Sequence, residues 1–271
     1  MEFTIKIYVE FLKCLKEAES LTLTFSEFIE NPLSKSIELR HDVDKLPENS
    51  LRFAKIQKTN NIRASYYFRM VPVSYNKKII LEIASLGHEI GYHYETMDTC
   101  NGNVDKAYDE FCYNLETFRK LVPVKSICMH GSPRSPYDNR DIWKKYNYHD
   151  LGIIGEPYFD INFNEVAYYT DTGRMWDGYK YSVRDRIPNS QLHNPENFLT
   201  PFPKFHSTSE IISALNKNSF PEKAMLTFHP QRWTDNPILW TKELITQGSK
   251  NIVKKWFFVN HSAINPSTKY E

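Results

Sequence analysis

Two short clusters of acidic and imidazole side chains stand out in the first hundred residues. The first is Arg40-His41-Asp42-Val43-Asp44, and the second is the segment 87–95, Gly-His-Glu-Ile-Gly-Tyr-His-Tyr-Glu. Each cluster follows a short apolar run, and parallel α/β folds place active-site residues at the carboxyl ends of their strands. Asp42 and Asp44 lie two residues apart, so both side chains leave the same face of an extended backbone. Because adjacent carboxylates repel each other, the pattern predicts a metal site with a spare carboxylate for proton transfer.

The composition is that of an ordinary globular protein. The chain has 271 residues, of which 41% are hydrophobic and 25% are charged, and this length suits one α/β barrel domain spanning 1–271. The net charge of +1 gives no reason to expect nucleic-acid binding or attraction to a membrane surface. Aromatic residues make up 14% of the chain, which fits sugar-stacking surfaces as well as aromatic core packing.

The sequence also favours a cytoplasmic location. Its amino terminus lacks the features of a secretory signal peptide, and no apolar run is long enough for a transmembrane segment. Four scattered cysteines, Cys14, Cys100, Cys112 and Cys128, form no C-x-x-C pair, and they are expected to be free thiols in a reducing compartment. The sequence gives no indication of the oligomeric state.

Strand-like and helix-like segments alternate along the chain, which predicts an α/β fold with a parallel sheet or barrel. An N-terminal helix is expected over residues 5–20, and long loops are expected over about 131–205. The predicted strands cover residues 37–40, 64–70, 88–93, 126–129, 153–155, 167–170 and 224–228. The predicted helices cover residues 47–59, 76–86, 105–121, 210–216 and 239–257.

Further polar clusters follow the later predicted strands. They are the segment 130–134, His-Gly-Ser-Pro-Arg, the segment 171–176, Asp-Thr-Gly-Arg-Met-Trp, and His229 after Leu226-Thr-Phe. The order of all five clusters resembles the polysaccharide deacetylases of carbohydrate esterase family four, over about residues 37–232. The resemblance implies a distorted (β/α) barrel of seven or eight strands, in a divergent branch with an R-H-D-V-D motif that is associated with bacterial surface-glycan biosynthesis.

The match departs from the family pattern in three of its motifs, the third being an Arg-Pro pair where this chain has His130-Gly131-Ser132-Pro133. The family's first motif is T-F-D-D-G, whereas the second acidic residue of this chain, Asp44, is one place further along. The family's second motif ends in a ligand histidine, where this chain has Met97. The Asp-to-Trp motif corresponds to Asp171 and Trp176, and the Leu-x-His motif corresponds to the segment ending at His229.

The resemblance implies hydrolysis of an N-acetyl group on an amino sugar or glycan, with a divalent metal ion as cofactor, most plausibly Zn²⁺. Asp42 would then be the general base and His229 the general acid, while Asp44 and His93 would bind the metal. A catalytic zinc usually takes three protein ligands, and two residues compete for the third position. Glu95 is favoured because it follows His93 by two residues, and His130 is its rival.

Other residues of these clusters are candidates for binding or orienting groups. His130 either ligates the metal or orients Asp42, and Arg134 and Arg174 would hold Asp42, Asp171 or an anionic group of the substrate. Two tryptophans, Trp176 and Trp233, would either stack on a sugar ring or pack the loop layer.

Three hypotheses follow from these patterns. The first is a metal-dependent deacetylase acting on a carbohydrate. The second is a metal-free amide hydrolase on the same barrel, which the absence of a histidine at Met97 supports. The third is a glycan-binding protein that has kept the cleft and lost turnover. The deacetylase is favoured because the acid, base and metal candidates are all present together.

Overall fold

The computed structural model describes residues 1–30, 33, 35–132, 135–177 and 202–254, with the side chains of the last helix described as far as residue 249. Within these ranges a parallel sheet of seven strands is flanked by helices, which confirms the α/β fold class. None of the helices in the described ranges combines the length and the apolar content needed to cross a bilayer.

All pairings between the strands are parallel, and the order across the sheet is β5-β4-β3-β2-β7-β6, with β1 paired to the first half of β2. β2 is therefore the central strand, and all eight of its residues are buried. The strands are β1 (Leu21–Leu23), β2 (Ser36–Val43), β3 (Ser65–Phe68), β4 (Glu89–Tyr94), β5 (Ile127–Met129), β6 (Ala167–Thr170) and β7 (Lys223–Phe228).

The helices begin at residues that satisfy their free N–H groups. Side chains of Thr4, Asn76, Asn103 and Ser207 cap four of them, and Pro47 opens a fifth at a position where proline is well tolerated. The helices are α1 (Ile5–Glu17), α2 (Phe25–Glu30), α3 (Pro47–Thr59), α4 (Lys77–Ser85), α5 (Thr96–Thr99), α6 (Val104–Arg119), α7 (Pro157–Asp160), α8 (Thr208–Asn216) and α9 (Pro237–Lys254).

Most predicted elements agree with the structure, and the main differences are as follows. The region 131–205, expected to form long loops, contains two 3-10 helices, Asn139–Lys144 and Tyr148–Leu151, as well as α7, and its residues 133–134 and 178–201 lie outside the described residues. The predicted N-terminal helix 5–20 ends at Glu17 instead. The predicted strand 153–155 is not a strand, because only Gly155 forms an isolated bridge, with Ser126. β2 runs on through Val43, so the first polar cluster lies largely inside the strand rather than after it. The helix end at Gly87 is confirmed, since its φ of +93° is the left-handed conformation that glycine adopts readily.

The sheet is curled, as a barrel requires. β2 and β5 are separated by two strands, which would place their backbones roughly 14 Å apart in a flat sheet, at about 4.8 Å per strand. Side chains at the ends of these two strands nevertheless approach each other, with His130 Nε2 only 3.7 Å from Asp44 Oδ1. The curvature turns the carboxyl ends of the strands towards a common centre.

Two buried histidines belong to the fold rather than to this centre. His41 faces away from Asp42 along β2 and lies between the rings of Tyr66 and Phe228, at centroid distances of 4.3 and 5.4 Å. His88 packs against Tyr66, and its Nε2 lies 3.0 Å from the carbonyl oxygen of Ala54. Burial lowers the pKa of His41 to about 3 and that of His88 to about 4.

These pKa values predict that acid destabilises the fold. As the pH falls below about 6.5, the unfolded chain takes up protons on both histidines while the folded protein does not. The free energy of unfolding therefore falls, by up to about 1.4 kcal/mol per pH unit for each histidine. The variant His88→Gln lacks one of the two histidines. Its unfolding free energy, measured by urea unfolding at several pH values, should therefore fall less steeply with decreasing pH between about pH 6 and pH 4, by up to about 1.4 kcal/mol per pH unit. The variant His149→Gln, at a half-exposed histidine, is the control, and an equal change of slope in both variants would contradict the prediction.

Candidate active site

Side chains from five strand ends meet at the carboxyl edge of the curled sheet. Asp42 comes from β2 and Asp44 directly follows it, His93 comes from β4, and His130, Asp171 and His229 directly follow β5, β6 and β7. Asp44 is the centre of this group. Its Oδ1 lies 3.6 Å from His93 Nε2 and 3.7 Å from His130 Nε2, and its Oδ2 lies 3.9 Å from His229 Nε2.

Asp42 is held by an arginine of its own strand. Arg40 donates from Nε to Asp42 Oδ1 at 2.8 Å and from Nη2 to Oδ2 at 2.7 Å, and both residues are buried. Burial raises the pKa of Asp42, but the charges of Arg40 and His93 outweigh burial, so the pKa lies below its usual value. Asp42 is therefore an ionised carboxylate in the interior, and Oδ2 lies 3.8 Å from His93 Nε2.

His93 presents one particular nitrogen to the carboxylates. Its Nδ1 lies 2.9 Å from the carbonyl oxygen of Cys128. Because a carbonyl only accepts, this contact assigns the ring proton to Nδ1 and leaves Nε2 with a free lone pair in the neutral ring. A backbone partner of this kind is the usual way in which proteins orient a metal-binding histidine.

His130 is oriented by a carboxylate. Its Nδ1 lies 2.9 Å from Glu95 Oε2, and Arg69 donates to both oxygens of Glu95, at 3.1 and 2.7 Å. Burial raises the pKa of Glu95, but the bonds to His130 and Arg69 lower it to about 2. Glu95 follows the end of β4 and is the N-cap residue of α5. Its carboxylate contacts Nδ1 of His130, whereas Nε2 of the same ring faces Asp44.

His229 is held by the buried carboxylate of Asp171, which contacts the ring at Nδ1. Its Nδ1 lies 2.5 Å from Asp171 Oδ1, and its backbone N–H donates to Asp171 Oδ2 at 2.9 Å. Arg232 Nη1 and Trp233 Nε1 also donate to this carboxylate, at 3.0 and 2.7 Å. Burial raises the pKa of Asp171, but His229 and Arg232 lower it to about 2. Burial and Arg232 lower the pKa of His229, whereas Asp171 and Asp44 outweigh them and leave it above the usual value.

Three residues proposed from the sequence lie away from this centre or outside the described residues. Arg134 lies outside the described residues. Arg174 does not hold Asp42, because its guanidinium lies over the rings of Phe3 and Trp240, at 5.0 and 4.8 Å. Trp176 is 3% exposed, and its Nε1 donates to Thr208 Oγ1, so it packs in the core rather than at a surface that a sugar can reach.

Trp233 is 1% exposed and packs against Phe3 and Phe228, at centroid distances of 4.9 and 5.7 Å. Of the two roles that the sequence left open for this residue, the structure fits packing rather than sugar stacking. Its indole N–H is directed to Asp171 instead, so the side chain supports the imidazole of His229 from behind.

Two sets of three side chains in the described residues bring ligand atoms within 4.8 Å of one another, namely Asp42, His93 and Cys128, and Glu95, Asp98 and His130. In the first set, both oxygens of Asp42 already accept from Arg40, and the thiol of Cys128 contacts the carbonyl oxygen of Met129 at 3.6 Å. In the second set, Asp98 accepts from Ser135 and Asn139.

Asp44 differs from these carboxylates. Gln231 Nε2 donates to its Oδ2 at 3.0 Å, but its buried Oδ1 has no hydrogen-bond partner among the described residues. Burial raises the pKa of Asp44, and the surrounding histidines lower it well below its usual value. An ionised, buried oxygen that faces two imidazole nitrogens fits a divalent cation, because oxygen and imidazole nitrogen are both ligands that Zn²⁺ accepts.

No family model and no curated protein sequence matches the chain. Its structure is similar to a CE4 family pseudoenzyme from Bacillus anthracis, with 16% identity and a TM-score of 0.44, over 83% of this chain and 63% of that one. It is also similar to a family 4 carbohydrate esterase from Bacillus anthracis, with 15% identity and a TM-score of 0.42, over 88% of this chain and 84% of that one. A third similar structure is PdaA, a family 4 carbohydrate esterase of Bacillus subtilis, with 13% identity and a TM-score of 0.38, over 88% and 82% of the two chains. The chain spans less than two thirds of the length of the first of these proteins.

The pairing of Arg40 with Asp42 predicts a large effect on stability. The variant Arg40→Met should lose about 3–5 kcal/mol of unfolding free energy at neutral pH, because it leaves a buried carboxylate unpaired. The double variant Arg40→Met/Asp42→Asn should recover part of this loss, because it removes the unpaired charge.

Urea unfolding monitored by circular dichroism measures both variants. The control is Arg52→Met, since the ion pair of Arg52 with Asp235 is about half exposed on both sides, and its loss should cost less than about 1 kcal/mol. An equal loss in Arg40→Met and Arg52→Met would show that the buried pair does not have the predicted effect.

Proposed function

We propose that the protein is a metal-dependent hydrolase that removes an N-acetyl or similar acyl group from an amino sugar or glycan. The observation that carries the proposal is the environment of Asp44 Oδ1. This buried oxygen faces the Nε2 atoms of His93 and His130. Asp42, an ionised carboxylate, lies 3.8 Å from the same His93 nitrogen, and His229 lies 3.9 Å from the other oxygen of Asp44. A base, an acid and a cation site within one centre are the groups that hydrolysis of an amide requires.

The proposed ligands are Asp44, His93 and His130, and the proposed ion is Zn²⁺. His130 replaces Glu95 as the third ligand of the sequence-based proposal. Glu95 accepts two hydrogen bonds from Arg69, and it contacts Nδ1 of His130, the ring nitrogen that does not face Asp44. A carboxylate behind a ligand histidine fixes the orientation of the ring and raises its basicity. Glu95 is thus proposed as an orienting residue.

Two residues of the chain then perform the proton transfers. A bound ion would supply Lewis acidity to the acyl carbonyl and to the attacking water. Asp42 accepts the proton of that water, since each of its oxygens keeps a second lone pair beside the bond from Arg40. Arg40 keeps this carboxylate ionised and in place.

His229 donates a proton to the departing amine. Asp171 contacts its Nδ1, which directs Nε2 towards the centre and favours the protonated ring. A general acid of this kind contributes typically 10²–10⁴-fold to a rate. The resemblance of the sequence to deacetylases supports an amide on an amino sugar as the substrate, in bacterial surface-polysaccharide biosynthesis, and a cytoplasmic location stays a prediction from the sequence.

Elemental analysis of protein purified without chelator tests the ligand set. We expect about one ion per chain in the wild type, and loss of the ion in Asp44→Ala, His93→Ala and His130→Ala, because each would remove one of three ligands. Glu95→Gln should weaken binding by roughly 10–100-fold without abolishing it. Cys128→Ser should keep the ion. Loss of metal in Cys128→Ser would favour the rival set of Asp42, His93 and Cys128. A wild type without metal would contradict the Zn²⁺ mechanism and leave the metal-free hydrolase or the glycan-binding protein.

Release of acetate from N-acetylated amino sugars and their oligomers, measured with the metal-loaded protein, tests the proton-transfer roles. Asp42→Asn and His229→Gln should each bind metal as the wild type does and lose at least about 100-fold in kcat. The control is His206→Gln, at an exposed histidine outside the site. A metal-loaded wild type that binds oligomers and releases no acetate would favour the glycan-binding protein without turnover.

A further inference from the structure

The segment that follows the general acid contains a side chain to which neither the sequence motifs nor the proposed chemistry gives a role. A single 3-10 turn, Pro230–Arg232, comes directly after His229. Gln231 in this turn is 8% exposed, and its Nε2 donates to Asp44 Oδ2 at 3.0 Å. The amide therefore contacts the carboxylate at the centre of the site.

The orientation of this amide follows from its contact with Asp44. Reversing the amide would place its oxygen against a carboxylate oxygen, which repels it, so the donor must face Asp44. The amide oxygen, Oε1, is buried and has no hydrogen-bond partner among the described residues. Asp44 alone thus determines how the amide is turned.

We propose that Gln231 is a positioning residue that keeps Asp44 available to the metal. This inference rests on the proposed function, in which Asp44 is a ligand. The amide occupies Asp44 Oδ2, and so leaves Oδ1 as the oxygen that faces His93 and His130. It also competes with His229, whose Nε2 lies 3.9 Å from the same Oδ2.

Without the amide, a small rotation of the Asp44 carboxylate would allow a direct hydrogen bond from His229 Nε2 to Oδ2. Such a bond would occupy both Asp44, the metal ligand, and His229, the general acid. Gln231 opposes this rotation because its N–H holds Oδ2 in its present position, at 3.0 Å. A residue two positions after the acid thus keeps the acid and the metal ligand apart.

The backbone of the turn does not depend on the Gln231 side chain. The N–H groups of Arg232 and Trp233 donate to the carbonyl oxygens of His229 and Pro230, at 2.9 and 3.2 Å. Asn49 Nδ2 also donates to the Pro230 carbonyl oxygen, at 3.3 Å. Replacement of Gln231 by an apolar side chain of similar length should therefore leave the turn folded.

The test is the zinc affinity of the variant Gln231→Met, measured by competition with a chromogenic chelator. Methionine fills a similar volume without a donor. We expect a loss of roughly 10–100-fold in zinc affinity, the usual effect of removing a partner of a metal ligand, and a changed visible absorption spectrum of the Co²⁺-loaded protein. At saturating metal, kcat should fall with little change in KM.

The matched control is Gln247→Met, because Gln247 is also nearly buried and its Nε2 donates to a carboxylate of the same helix α9, Glu243, which is outside the proposed site. Wild-type zinc affinity and an unchanged Co²⁺ spectrum in Gln231→Met would overturn the inference. So would unfolding of both Gln231→Met and Gln231→Leu, which would make the side chain structural. A wild type that binds neither ion would instead overturn the proposed function on which the inference depends.

Discussion

The structure depends above all on an ion pair within one buried strand. Arg40 and Asp42 lie two residues apart on β2, and both are buried on the inner face of the curled sheet. Removing two charges from water costs several kcal/mol per ion, and only a close, well-oriented pair offsets that cost. Because successive side chains alternate between faces, a slip of one residue would place both charges among the aromatic residues of the outer face. The pair thus specifies the register of the strand that bonds to β1, β3 and β7.

Around this strand, the carboxylates of the site follow one pattern. Three of them accept charge-assisted bonds from an arginine, which both orients the carboxylate and keeps it ionised. The pairs are Asp42 with Arg40, Glu95 with Arg69, and Asp171 with Arg232. Asp44 is the exception among the described residues, since a neutral amide donates to one oxygen and two imidazole nitrogens lie near the other. The one carboxylate of the four without an arginine is therefore the one best suited to a cation.

Much of the fold was accessible from the sequence, because strand and helix segments alternate and their polar ends carry the motifs. The partners within the site were harder to predict. The alternation that places Asp42 and Asp44 on one face of the strand also places Arg40 on that face, but it does not show which of the two carboxylates Arg40 binds. The contacts of Trp233 with Asp171 and of Gln231 with Asp44 join segments about 60 and 190 residues apart, and no local pattern encodes them. Periodicity alone likewise could not distinguish a tryptophan in a cleft from a tryptophan in the core.

The residue at which the chain departs from the deacetylase motif is linked to the residue that we propose in its place. Met97 stands where the motif has a ligand histidine, and it is buried. Its backbone N–H donates to Asn139 Oδ1 at 2.9 Å, and Asn139 Nδ2 donates to the His130 carbonyl oxygen at 2.8 Å. One asparagine thus ties the backbone at Met97 to the backbone at His130. If His130 is a ligand, the third ligand has moved from the segment after β4 to the end of β5, the next strand in the sheet, and the loss of the motif histidine does not imply the loss of the metal.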